Sequence, residues 1–237
     1  MIMSWGTSLE KLIESIGPVI LQPTDENWER FDECRDMLYE ELREYTATGR
    51  TEIARKGIIA LYLIAKDMLE GYIPVTPSFL EKFPVKKALR AGIRIKKRAG
   101  KYLFIGEFSS PDLYDAAFSI LETAMKIEDF LIEKTGSREP IFEKVCRDSP
   151  EVKKIIFNSI EKTLKKEADP SWKYALFRAL IFLGSAIAVY SKLGYIPAEF
   201  SVFIKYLRKY DKEMLEDEFV KETWEEYRKK IKDIINL

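Results

Sequence analysis

The sequence predicts an all-α protein made of two tandem copies of one helical unit, with one short β-hairpin near 92–108. The first observation behind this is a repeat. Gly71-Tyr72-Ile73-Pro74 returns as Gly194-Tyr195-Ile196-Pro197. Laying 55–84 on 178–207 at that offset gives 10 identities in 30 positions, where unrelated segments would share about two. Beyond the tetrapeptide the matches are Arg55/Arg178, Ile58/Ile181, Ile64/Ile187, Ala65/Ala188, Ser78/Ser201 and Lys82/Lys205. The second observation is apolar residues recurring at helical spacing through most of the chain. The third is sparse punctuation: Gly (11) and Pro (10) are few among 237 residues and fall between the periodic segments. The repeat divides the chain into 1–109, a first helical unit carrying the hairpin, and 110–237, a second helical unit.

Taken in order, Thr7 with Glu10 resembles a capping box that opens a short helix ending at Gly17-Pro18. Asp25 or Asn27 starts a second helix, with Phe31, Cys34, Leu38, Leu42 and Tyr45 on one stripe. The third, over about 51–70, is apolar round most of its circumference (Ile58, Ile59, Leu61, Leu63, Ile64, Met68, Leu69), which places it at the centre of its half. Gly71 supplies a left-handed residue to end it, and Thr76-Pro77 reads as the cap and first turn of another helix. Around Arg98-Ala99-Gly100-Lys101, the alternating Ile93–Lys97 and the β-branched and aromatic Tyr102–Phe108 read as the two arms of the hairpin.

The second half repeats this grammar. Ser110-Pro111-Asp112 caps a helix running to about Lys134, and Val152, Ile155, Ile156, Ile160 and Leu164 form a stripe. Tyr174–Leu193 is the apolar helix again, and Gly194–Pro197 is the same helix–helix corner as Gly71–Pro74. A last helix continues from Pro197 with a break near Asp211, its stripe including Leu215, Phe219, Tyr227, Ile231 and Ile234. The two apolar helices are expected to pack the halves together about a pseudo-two-fold axis.

Composition excludes several chemistries. Histidine is absent, which removes Ser-His-Asp and Cys-His machinery, His-ligated zinc or haem, and a histidine general base. Two cysteines, Cys34 and Cys146, cannot build a Cys₄ zinc site; they read as two buried thiols, with a bond between them as the alternative. GxSxG, GxGxxG and GxxxxGK[ST] motifs do not occur. One Gln, three Asn and 33% charged residues follow the trend of proteins from hot environments. Met1–Thr7 has no basic n-region with an apolar stretch after it, and Ala179–Tyr190 is too short to span a bilayer. A soluble, cytoplasmic protein without membrane contact is expected.

The formal net charge of zero hides a strong polarity. Lys82 to Lys101 holds nine cations and no acid, while 1–81 carries a net −7 and 102–237 a net −2. A compact cationic segment on a helix end and a hairpin suits a phosphate backbone, with Tyr102 and Phe104 available for base stacking. Glu29, Glu33, Asp36, Glu40 and Glu44 share one face of the second helix, a spacing that can hold Mg²⁺ or Mn²⁺ but more commonly makes a solvated face. The matched Arg55 and Arg178 start otherwise apolar helices, so each calls for a carboxylate or carbonyl partner, or an anion.

These features point to a non-enzymatic helical binding protein that engages nucleic acid through 82–101, with Lys86, Lys87, Arg90, Arg94, Lys96, Lys97, Arg98, Lys101 and Tyr102 as the contacts. No cofactor, metal site or catalytic residue is expected. The alternative is a scaffold or adaptor subunit whose cations dock an acidic protein. A metal-dependent phosphodiester enzyme using the acidic helix is the third reading.

Overall fold

The computed structural model describes residues 5–82, 86, 94–98, 101–105 and 110–237. The fold is all-α with a small sheet. Its helices are α1 (Trp5–Leu21), α2 (Asp25–Ala47), α3 (Thr51–Leu69), α4 (Pro77–Lys82), α5 (Pro111–Thr135), α6 (Ile141–Asp148), α7 (Pro150–Leu164), α8 (Lys173–Lys192, after a 3₁₀ turn at Pro170–Trp172), α9 (Ala198–Ser201), α10 (Ile204–Glu216) and α11 (Lys221–Ile235). Strands β1 (Tyr72–Val75), β2 (Arg94–Arg98) and β3 (Lys101–Ile105) form an antiparallel sheet in the order β1-β3-β2.

The hairpin is where the alternation places it, with Arg98 paired to Lys101 and Arg94 to Ile105. The third strand is a departure from the sequence reading. Gly71–Pro74 is not a helix–helix corner: Tyr72 to Val75 pair with Ile105 to Tyr102. Gly71 and Gly194 both adopt the left-handed conformation (φ 87° and 88°), so both tetrapeptides end a helix in the same way. Only the first continues as a strand, because only there does a neighbouring β3 offer its backbone groups. Pro74, which has no N–H to donate, is tolerated because β1 lies at the sheet edge.

The centre of the molecule also differs. Neither α3 nor α8 is the axis; α5 lies between them and packs on both, as well as on α1 and α2. From Leu113 to Ile132, α5 is buried on nearly every side, whereas α3 leaves Leu63 39% exposed and Ile59 and Ile64 half-buried. Circumferential hydrophobicity in α3 is therefore a broad stripe against α5, α2 and the short α6 and α7. One hydrophobic core runs from Leu12 of α1 to Ile235 of α11. Among the described residues, the stretch Pro170–Lys192 is long and apolar enough to cross a membrane, but 83% of that window is buried inside the protein, as in a core helix.

Three boundaries shift for identifiable reasons. Helix α1 does not stop at Gly17-Pro18 but runs on to Leu21. Pro18 removes a single intrahelical bond, while continuing the helix buries Val19 and Ile20 beside Leu12 and Ile16. The cap of α2 is Thr24, whose hydroxyl accepts from the Asn27 N–H at 3.3 Å. The C-terminal break falls at Asp217, whose carboxylate accepts from the Phe219 N–H at 3.0 Å and pairs with Lys173 at 2.8 Å, rather than at Asp211. That break turns Phe219 outward, 68% exposed, and Ile234 is also exposed, so the stripe there is Trp224, Tyr227, Ile231 and Ile235. The cap of α5 is as read: Ser110 Oγ accepts from the Leu113 N–H at 3.2 Å.

Candidate functional site

The basic segment is carried on the sheet. Arg94, Lys96, Lys97 and Arg98 lie on β2, Lys101 and Tyr102 on β3, and the register sets Lys97 opposite Tyr102 and Arg98 opposite Lys101. Lys82 ends α4, and Lys82, Lys86 and Arg94 are exposed. Lys87 and Arg90 lie outside the described residues. A five-residue strand extends about 17 Å, roughly the length of five nucleotide steps at about 3.4 Å each. The sheet is anchored through β1: Ile73 and Val75 are buried, and α1 lies so close that a Cβ on Gly17 would come 2.8 Å from Val75 Cγ1 and 3.1 Å from the Pro74 carbonyl. The platform thus joins the helical body by a glycine contact that any side chain would disturb.

The acidic face of α2 is a solvated, partly ion-paired helix face. Glu29, Glu33, Asp36, Glu40 and Glu44 are all exposed, and three of them pair along the helix or just beyond it: Asp36 with Arg35 (3.1 Å), Glu40 with Arg43 (3.5 Å) and Glu44 with Arg50 (3.9 Å). No group of three or more Cys, Asp or Glu is placed to hold a metal ion among the described residues. Cys34 and Cys146 are both free thiols. The matched arginines have different fates. Arg178 reaches Asp115 of α5 at 3.3 Å, whereas Arg55 makes an exposed pair with Glu52 of its own helix at 3.7 Å.

A second constellation escapes sequence reasoning. Helix α5 carries Glu122, Glu128 and Asp129 into the interior and the half-buried Asp115 to its margin. Glu128 is fully buried and accepts hydrogen bonds from the Tyr62 hydroxyl (2.7 Å) and the Phe142 N–H (3.2 Å). Burial pushes its carboxyl up to about 7 against the pull of those donors. Burial likewise raises Asp115 to about 6, although Arg178 opposes it. Glu122 accepts from Tyr227, while Asp129 takes Lys192 (2.6 Å) and Lys230 (3.4 Å). The available signal was four carboxylates in a largely apolar Leu113–Ile132.

Beside Glu128, a cavity of about 280 Å³ opens among α6, α7, α8 and α9. Phe142, Glu143 and Cys146 of α6 face Tyr190 of α8 and Phe200 of α9 across it. Burial drives the Cys146 thiol up to about 12, which keeps it protonated. No family model, no curated protein and no solved structure matches the chain.

Proposed function

We propose that this is a non-enzymatic binding protein that engages the phosphate backbone of nucleic acid through the basic hairpin. One observation carries the reading: five of the nine cations between Lys82 and Lys101 lie on two hydrogen-bonded strands, with no acid between them. Cations spaced along an extended ribbon release counterions from a polyanion, and an aromatic residue on the adjoining strand adds sequence-tolerant stacking. A helical body with a basic ribbon needs no cofactor for this, and a cytoplasmic location forms part of the same reading.

Replacing Arg94, Lys96, Lys97 and Arg98 together by Ser tests it. Affinity for a 30-nucleotide single strand is expected to fall by about a hundredfold or more at low salt, with an unchanged circular dichroism spectrum. Unchanged affinity in the folded variant would refute it. One observation favours a second reading, an acidic protein partner. Among the described residues β2 has no strand on its outer side, so the same cations border backbone groups open to strand addition. Binding of an acidic peptide together with failure to bind any oligonucleotide would favour that partner.

A further inference from the structure

Independently of the hairpin, we propose that the cavity between α6 and α8 is a binding site for a small organic ammonium ion. Its walls are aromatic: the Phe142 and Phe200 ring centroids lie 6.1 Å apart, and those of Tyr190 and Phe200 5.3 Å. Rings packed on one another at this spacing make a continuous apolar wall, and a ring face turned to the cavity attracts a cation. Tyr190 is fully buried, and its hydroxyl has no hydrogen-bond partner. A buried hydroxyl left unpaired is costly, so a ligand group that bonds it gains more than an equivalent contact at the surface would.

The sign of the ligand's charge follows from what is already paired. Arg147 and Lys153 also line the cavity, but each is matched, to Glu139 and Glu199 respectively. Glu143 is the remaining charge on the wall; it accepts a hydrogen bond from Tyr195 at 3.0 Å and has no ion-pair partner among the described residues. Burial first, and then the nearby Glu128 and Glu143, keeps the Tyr190 phenol neutral. A primary ammonium brings three donors and no acceptor. Glu143 and the Tyr190 oxygen can take two of them, while the ligand's carbon body lies on Phe142, Phe200 and Pro197. The volume sits near the lower end of small-molecule pockets, roughly 300–1,000 Å³, which limits the ligand to a compact amine.

Calorimetry on the full chain with 2-phenylethylammonium and butylammonium, and with 2-phenylethanol and phenylacetate as isosteric controls, decides the matter. Phenylethylammonium is expected to bind at least about tenfold more tightly than the alcohol and more tightly still than the carboxylate. Glu143→Gln should weaken it about tenfold and Tyr190→Phe about threefold, with both variants melting as cooperatively as the parent. Equal binding of alcohol and ammonium would reduce the site to an apolar slot and overturn the proposal. Preference for phenylacetate, or no binding of either amine at about ten millimolar, would also overturn it.

Discussion

Glu128 makes the stability of this protein depend on pH in an unusual direction. Its folded value of about 7 lies above its ordinary 4.5, so the folded state holds the proton more tightly than the unfolded chain. That contribution is complete below about pH 4.5 and is lost as pH rises through 7, a change of roughly 3 kcal/mol. Asp115, raised from 3.8 to about 6, acts with the same sign at lower pH. Glu133, Glu139 and Glu199, lowered by lysine and arginine hydrogen bonds, act oppositely below the carboxylate range. Urea midpoints are therefore expected to fall from pH 5 to pH 8 and to flatten in Glu128→Gln; a profile rising over that range would contradict the assignment. The two buried tyrosines should separate as cleanly. Tyr62→Phe leaves Glu128 with only its backbone donor and should cost about 1–3 kcal/mol, whereas Tyr190→Phe removes an unpaired hydroxyl and should be neutral or stabilising by about 1 kcal/mol. Apart from the carboxylates within an apolar stretch of α5, little of this was legible in the sequence. A Glu in a helix reads as surface, and what buries Glu128 is Tyr62 of the distant α3 together with Phe142 of the next helix, α6.

At the scale of elements, local signals were readable wherever the decisive interaction was local. Ser110 capping α5, Thr76 capping α4 and Gly71 closing α3 at φ 87° all follow from short-range chemistry. Elements decided by distant partners were not. Helix α6 is only eight residues, too short for its periodicity to stand out, and β1 exists because β3 runs beside it. The packing of α8 on α11 makes a further prediction. A Cβ on Gly184 would lie 2.8 Å from Trp224 Cζ3, and Trp224 is fully buried, so Gly184→Ala should destabilise by roughly 1–3 kcal/mol in chemical denaturation. Gly194→Ala meets no atom within 4 Å and should cost only the strain of a left-handed alanine, about 1 kcal/mol. A larger penalty at 194 than at 184 would mean that the turn, not the helix contact, limits stability.

The whole molecule is a helical body organised on α5, with a basic ribbon attached through β1 and α1. Ion pairs reinforce the body where α5, α8 and α11 meet: Asp129 takes Lys192 and Lys230, Glu133 shares Lys192, and Glu226 links Lys230 to Lys126. Shared partners restrict one another's side chains, so such a network is worth more than the same pairs in isolation. The continuous core from Leu12 to Ile235 predicts one cooperative unfolding transition, measured as coincident midpoints by tryptophan fluorescence and far-ultraviolet circular dichroism. Total charge concealed the polarity that matters most at this scale, because a sum of zero is built from a cationic ribbon and acidic flanks. The salt dependence of binding to a fluorescently labelled 30-nucleotide single strand, followed by anisotropy, tests the proposed role most directly. With the five strand cations engaged, log K against log salt should fall with a slope of about −3 to −4. A slope near zero, or no binding at about 50 mM salt, would contradict it.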